Sequence, residues 1–154
     1  MELSGDELAG IADQFGALSP AQLRRAIRET AFRAGAEPTE ATIEDWIEEA
    51  KAEFSLLTVD LDGDPLVVPG PRAFPEVPAA ASDLPHVLEV EPRTVPEEAL
   101  ETGLRNRLAA RAAAVDDPDR AHDLIDVTYD AEAWAGIDLG DVRDRLAGLA
   151  EQES

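Results

Sequence analysis

The sequence of 154 residues predicts a mainly α-helical protein with one small antiparallel β-hairpin. Apolar residues that recur at intervals of three and four predict the helices, and capping residues precede several of these stretches. Two runs rich in apolar and β-branched residues, 56–61 and 66–68, flank the turn residues Asp62-Gly63-Asp64-Pro65. Asp-Gly favours a hairpin here because both residues tolerate the positive φ that a tight turn requires.

Three helices are predicted before the hairpin. Capping boxes at Ser4 and Ser19 begin the first two, and the third begins near Thr39 or Thr42. The helices and the hairpin together form the first predicted unit, residues 1–74. Each helix has an apolar face at helical spacing: Leu8, Ile11, Ala12 and Phe15 in the first, Leu23, Ala26, Ile27, Thr30 and Ala31 in the second, and Ile43, Trp46, Ile47, Ala50 and Phe54 in the third.

This order of three short helices and a hairpin resembles a winged-helix domain. The resemblance implies that the second and third helices form a helix-turn-helix, that the hairpin is the wing, and that the third helix enters a DNA major groove. The charge of the third helix opposes DNA binding, because its many carboxylates and single Lys51 would repel phosphates. These acidic residues are Glu40, Glu44, Asp45, Glu48, Glu49 and Glu53.

The second helix carries four arginines within ten residues. They are the candidate residues for contact with a partner protein or with nucleic acid: Arg24, Arg25, Arg28 and Arg33. Three interpretations stay open. The arginines form a solvated face that pairs with nearby acids such as Glu29 and those of the third helix, or they bind nucleic acid, or they bind a protein that presents an acidic patch.

A proline-rich strap is predicted over residues 75–93. Repeated prolines interrupt regular structure and lower the entropy of an extended chain, so the strap is expected to be ordered. Phe74 and Val77 are its predicted anchors on the core.

An edge strand is predicted within the strap. Apolar and polar residues alternate from His86 to Val90, and the flanking Pro85 and Pro92 confine such a strand to the edge of a sheet. His86 itself is expected to be structural or exposed, because no other histidine and no ordered carboxylate cluster surrounds it in the sequence.

Residues 94–154 are predicted to form an antiparallel helical subdomain of three amphipathic helices. A capping box begins at Thr94, and the acidic segment 116–119 ends one helix and caps the next. Tyr129 and Trp134 are the predicted packing anchors. The apolar stripes of these helices are also candidates for a dimer interface.

The chain is strongly acidic. It has 34 acidic and 13 basic residues, which gives a net charge of −21, and Lys51 is its only lysine. In this it resembles haloarchaeal proteins, and over its full length it resembles their small acidic families of unassigned function. The resemblance implies a halophilic cytoplasm, where molar salt shortens the Debye length to about 3 Å and screens the repulsion. Without a signal-peptide pattern or a spanning apolar run, the chain is expected to be cytoplasmic and not membrane-bound.

The sequence offers no catalytic, cofactor or metal site. It has no cysteine, which excludes disulfides and thiolate zinc sites. A calcium loop that began at Asp60 would need glycine at its sixth position and glutamate at its twelfth. Here glycine is at the fourth position and Pro71 is at the twelfth, so the segment Asp60–Asp64 does not match the pattern. His122, Asp123 and Asp126 are too few ligands for a site. A phosphate-cradling glycine loop and a nucleophile elbow are also absent, so an enzyme is not expected.

Three hypotheses of function remain. The first is a non-enzymatic regulatory or adaptor protein of a halophilic cytoplasm, which acts through protein–protein contacts, including self-association through the C-terminal helices. The alternative is a DNA-binding winged-helix transcription regulator that uses the arginine cluster. The third is an acidic mimic of nucleic acid that occupies a basic partner.

Overall fold

The computed structural model describes residues 2–152, apart from the side chains of His86, Val87 and Gln152. The expectation for the His86 side chain therefore lies outside the described residues. Within them the protein is mainly helical with one two-stranded antiparallel sheet, which confirms the predicted fold class. The elements are α1 (Gly5–Asp13), α2 (Pro20–Arg33), α3 (Glu40–Ala52), β1 (Leu56–Leu61), β2 (Asp64–Pro69), a 3₁₀ turn (Ala79–Ala81), α4 (Leu84–Leu88), α5 (Glu97–Ala113), α6 (Pro118–Ala135) and α7 (Gly140–Gln152).

The chain divides into two compact units, with the boundary between Pro96 and Glu97. We call them the first and the second unit. The strap after the hairpin belongs to the first unit, and α5, α6 and α7 make up the second.

The predicted N-terminal caps of the first unit are present. Ser4 Oγ accepts from Glu7 N at 3.2 Å while Glu7 Oε1 accepts from Ser4 N at 3.1 Å, and Ser19 and Gln22 form the same reciprocal pair. Such boxes satisfy backbone donors that a helix leaves free at its start. The apolar faces of α1, α2 and α3 then meet in one core, whose fully buried side chains include Leu8, Ile11, Phe15, Leu23, Ile27 and Ile43.

The hairpin closes this core. Its register runs from Leu56 opposite Pro69 to Leu61 opposite Asp64, so the turn consists of Asp62 and Gly63 alone. Both have positive φ, 54° and 87°, as a two-residue type I′ turn requires.

The hairpin is also attached to the segment between α1 and α2. Leu18 forms an isolated antiparallel bridge with Val67, with Leu18 N donating to Val67 O at 3.0 Å and Val67 N donating back at 2.7 Å. The three helices and the hairpin are therefore joined by backbone hydrogen bonds as well as by the core.

The strap crosses α1. Phe74 N donates to Asp6 Oδ1 and Glu76 N donates to Asp6 O, both at 3.0 Å. One turn later, Gly10 makes room for the strap, because a Cβ there would lie 2.2 Å from Glu76 O. The strap therefore packs directly on the backbone of α1, which only glycine allows.

The far end of the strap returns to the end of α1. Gln14 Nε2 donates to Ala81 O at 2.8 Å, and Arg93 N donates to Phe15 O at 2.7 Å. The strap segment thus contacts the start of α1 through Phe74 and Glu76, and the end of α1 through Ala81 and Arg93.

Two predictions about the strap are wrong. The segment predicted as an edge strand, His86–Val90, contributes to helix α4 instead, and the chain leaves that helix at Glu89 with φ 53°. Leu84 and Leu88, one helical turn apart, are 0% and 6% exposed. Burial of this pair favours a helix over the strand that the two-residue alternation predicted. Pro85 fits the first turn of a helix, where its missing N–H costs nothing.

The predicted strap anchors are wrong as well. Phe74 is 81% exposed and Val77 is 43% exposed, whereas Ala73 and Ala81 pack on the core. The strap backbone itself packs on α1 at Gly10, so it needs no large side chain as an anchor there.

In the second unit, α5, α6 and α7 pack around buried leucines such as Leu104, Leu108 and Leu146. Asp117 caps α6 by accepting from Arg120 N at 2.8 Å. Trp134 is half-buried, but Tyr129, the other predicted anchor, is 57% exposed. Its ring packs instead against the Arg143 guanidinium, 4.1 Å from the ring centroid. A cation over an aromatic face is attractive at the surface, so Tyr129 needs no place in the core.

Candidate interaction surface on helix α2

The four arginines of the predicted cluster lie on different sides of α2. At 100° per residue, the buried positions Leu23, Ala26, Ile27, Thr30 and Ala31 define the inner face of the helix. Arg24 lies on the flank toward α3 and Arg33 on the opposite flank. Arg25 and Arg28 lie on the outer face, which points away from the core.

Arg24 is held by α3. Its Nε donates to Glu44 Oε1 in a short hydrogen-bonded ion pair. This hydrogen bond is the main reason that the pKa of Glu44 is lowered from its ordinary value. The side chains of both residues are 41% exposed, so the pair stabilises the α2–α3 contact only modestly.

Arg33 is held by the strap. It forms ion pairs with Asp83 and, at 3.2 Å, with Glu29, and its Nη1 donates to Ala80 O at 3.4 Å. The hydrogen bond to Asp83 is the main cause of the raised pKa of Arg33. Arg33 therefore fastens the C-terminal end of α2 to the strap.

Most of the guanidinium N–H donors of Arg28 and Arg25 are left to hydrogen-bond with solvent. Arg28 Nη1 lies 3.7 Å from Glu40 Oε1, a long contact with a side chain that is itself 90% exposed. Arg25 is exposed, and it has no ion-pair partner among residues 2–152. These two arginines are the members of the cluster that the fold leaves accessible.

Phe32 completes this surface. Its position places it opposite the inner face of the helix, four residues after Arg28 and seven after Arg25, and it is 66% exposed. We define the α2 outer face as Ala21, Arg25, Arg28 and Phe32, all of which are exposed. Phe32 is not among the residues predicted from the sequence, although the helical spacing of the buried residues already places it on the solvent side.

A groove lies beside the α2 outer face, between α2 and α3. Its volume is about 400 Å³, and Ile43 lies at its base. Arginines from α2 line one wall and glutamates from α3 line the other: Ala21, Arg24 and Arg28 face Glu40 and Glu44.

The exposed side of α3 is acidic. Asp45, Glu48 and Glu49 are exposed there, and Lys51 Nζ lies 3.6 Å from Glu48 Oε1. A polyanion that approached the arginines of α2 would therefore meet uncompensated carboxylates on the neighbouring helix.

The remaining candidate sites of the sequence belong to other elements. His122, Asp123 and Asp126 are exposed on α6, and the acidic segment Asp60–Asp64 forms the tip of the hairpin. Among residues 2–152, no three His, Cys, Asp or Glu side chains form a group that could hold a metal ion. In the same range, no helix is long and apolar enough to cross a membrane.

The fold and this surface define a strongly acidic, mainly helical protein of two units, with an exposed arginine–phenylalanine face on the first. Residues 6–151 match the model of a family of unknown function, DUF7109, and the chain therefore belongs to this family. That result confirms the expected membership of a family without an assigned function. No curated protein and no solved structure matches the chain.

Proposed function

We propose that the protein is a non-enzymatic regulatory or adaptor protein that acts through protein–protein contacts at the α2 outer face. The observation that carries this proposal is the 66% exposure of Phe32 beside two accessible arginines. Aromatic and arginine side chains are enriched among the residues that contribute most to protein interfaces. A phenylalanine on the rigid outer side of a capped helix loses little entropy when a partner covers it.

The chemistry of the face defines the partner. Arg25 and Arg28 would pair with carboxylates, and Phe32 would enter an apolar pocket, so the partner presents an acidic surface with a hydrophobic depression. Both proteins would then carry negative charge, and their association requires salt that screens the repulsion between them. We therefore place this function in a halophilic cytoplasm, in agreement with the net charge of −21 and the single lysine.

A photo-crosslinking residue at position 32 of the full chain tests the adaptor function. The variant is incubated with an extract of the native cells at molar KCl, and the crosslinked protein is identified and purified. Its affinity for the wild-type chain is then compared with that for Phe32→Ala and Arg28→Glu. We expect each change to weaken binding by about tenfold or more, because both side chains lie within the proposed contact.

The matched control is Arg145→Glu. It makes the same charge change at an exposed arginine of the second unit. Equal weakening by Arg145→Glu would mean that only the net charge matters, and the absence of a specific crosslink at position 32 would contradict the adaptor function.

The alternative is a DNA-binding winged-helix regulator. It is favoured by the Leu18–Val67 bridge, which ties the hairpin to the three helices as a wing is tied to its domain. The carboxylates of α3 weigh against it. A gel-shift assay at molar KCl with the Arg25→Ala, Arg28→Ala double variant tests this alternative, and loss of a wild-type shift would support it.

Arg24 is a poor probe in that assay, because its substitution also removes the ion pair with Glu44. No shift by the wild-type chain, or a shift that the double variant keeps, would reject DNA binding through this cluster.

A further inference from the structure

The strap presents a second exposed apolar surface on the first unit. Phe74 and Val77 precede Pro75 and Pro78, and a residue before proline is confined to extended conformations. Pro78 itself has φ −59° and ψ 146°, which are polyproline II angles. Phe74 and Val77 are 81% and 43% exposed, so both side chains project from the strap into solvent.

The opposite side of the strap is fixed to the molecule. Ala73 packs on the core, and the backbone of Glu76 is hydrogen-bonded to Asp6 and lies against Gly10. The outward side chains are therefore held in place before any partner arrives. Such preorganisation lowers the entropic cost of association.

The strap and the α2 outer face complement each other. The strap offers an aromatic ring, an aliphatic side chain and the exposed carboxylate of Glu76, while α2 offers Phe32 after Arg25 and Arg28 on the same exposed face. Among the described residues of the first unit, all exposed large hydrophobic side chains belong to these two surfaces. Within one copy the two surfaces do not cover each other, since Phe32 and Phe74 are both mostly exposed.

We propose that the strap of one copy docks on the α2 outer face of a second copy, and that two copies do so reciprocally in a two-fold dimer. A two-fold axis makes both contacts identical. The same strap–helix contact, made twice, therefore buries Phe32, Phe74 and Val77 of both copies. The Glu76 carboxylate then faces Arg28 or Arg25 of the other copy. The proposal deepens the adaptor function, because the dimer occupies the face that binds the partner and so regulates access to it.

Salt governs this association. Two copies that each carry a charge of −21 repel one another at long range, and only the local strap–helix contact is attractive. At molar salt the long-range repulsion is screened, whereas apolar burial persists. The dimer is therefore a high-salt species.

Sedimentation velocity of the full chain at molar KCl, over a range of protein concentrations, tests the proposal. We expect a reversible dimer whose dissociation constant rises by about tenfold or more in Glu76→Arg and in Arg28→Glu, since each places like charges together. The double variant, Glu76→Arg with Arg28→Glu, restores opposite charges and is expected to recover the dimer. Phe74→Ala weakens it without any change in charge, and Arg145→Glu leaves it unchanged.

A monomer at every concentration in molar KCl would overturn the proposal. A dimer that ignores both single reversals would also overturn it, and would point to another interface, such as the helices of the second unit. Recovery by the double variant excludes misfolding as the cause of the single-variant losses. The adaptor function is tested separately, because a partner crosslinked at position 32 supports it even if the chain never dimerises.

Discussion

At the scale of single residues, neighbours decide what each arginine of α2 does. The sequence shows that Arg24, Arg25, Arg28 and Arg33 are close together, but not which of them the fold uses. Arg33 pairs with Glu29 on its own helix, but Glu44, the partner of Arg24, and Asp83, the other partner of Arg33, lie 20 and 50 residues further along the chain. Only tertiary packing brings these groups together, so the division into paired and accessible arginines could not be predicted.

Gly10 is the residue on which the strap depends. Gly10→Ala would place a Cβ 2.2 Å from the backbone oxygen of Glu76, and backbone cannot rotate away as a side chain can. We expect the first unit to lose about 1–3 kcal/mol of unfolding free energy, which is typical of overpacking. Denaturant unfolding at molar KCl measures the loss through Trp46 fluorescence in a Trp134→Phe background, because each unit contains one of the two tryptophans.

The control is Gly148→Ala in α7. A Cβ there meets nothing within 4 Å, so the better helix propensity of alanine should stabilise the second unit by about 0.5–1 kcal/mol. If the first unit is as stable in Gly10→Ala as in the wild type, the strap is not packed on α1 as described.

Glu132 links pH to the stability of the second unit. Arg143 Nη1 donates to its carboxylate at 2.7 Å and Leu139 N donates at 2.8 Å; these two bonds, the first above all, lower the pKa of Glu132 below its ordinary value of 4.5. A lowered folded-state pKa gives stability above the unfolded-state pKa that is lost as the pH falls through the folded one. Thermal unfolding at molar KCl should therefore show a decline below about pH 4.5 that is shallower in Glu132→Gln.

Molar salt is essential to that measurement. At low salt, protonation of many other carboxylates relieves repulsion and would stabilise the fold in the same pH range. Identical acid profiles for the wild type and Glu132→Gln in molar KCl would contradict a stabilising role for this carboxylate.

At the scale of elements, local signals predicted the helices well and the strap poorly. Capping boxes at Ser4 and Ser19 depend on residues three positions apart, so the sequence alone contains the whole interaction. Helix α4 is only five residues long, and its formation depends on burial of Leu84 and Leu88 against other elements. A two-residue alternation over such a short stretch does not distinguish a strand from a buried helical turn.

The hairpin turn depends on its two positive φ angles. Gly63→Ala would place a side chain on a residue whose backbone lies in the left-handed region, at φ 87°. We expect this change to destabilise the first unit by about 1 kcal/mol. Asp62→Asn is the matched control, because asparagine tolerates the same region and the change removes one of three carboxylates at the tip. Thermal unfolding followed by circular dichroism compares the two, and an unchanged melting temperature in Gly63→Ala would contradict the type I′ turn.

At the scale of the whole molecule, charge sets the conditions of folding. Acidic residues exceed basic ones by 21, so most carboxylates have no basic partner and repel one another unless salt screens them. We expect the melting temperature to fall progressively as KCl is reduced from molar concentrations, and the fold to loosen at low ionic strength. Circular dichroism over a KCl series measures this effect.

Two controls separate screening from other effects of salt. Sucrose strengthens apolar burial without screening charge, so it should only partly replace KCl. A melting temperature that does not fall when salt is removed would contradict the proposal of a halophilic protein.

The strap over α1 also has a consequence for the order in which the first unit is made. Phe74 and Ala81 reach their partners on α1 across 68 and 67 residues of sequence, so α1 leaves the ribosome long before the chain that covers it. In the second unit, Glu132 reaches Leu139 and Arg143 across 7 and 11 residues, and Arg105 reaches Asp141 across 36. Distant contacts slow folding, so the unit that is synthesised first is the one expected to finish folding later.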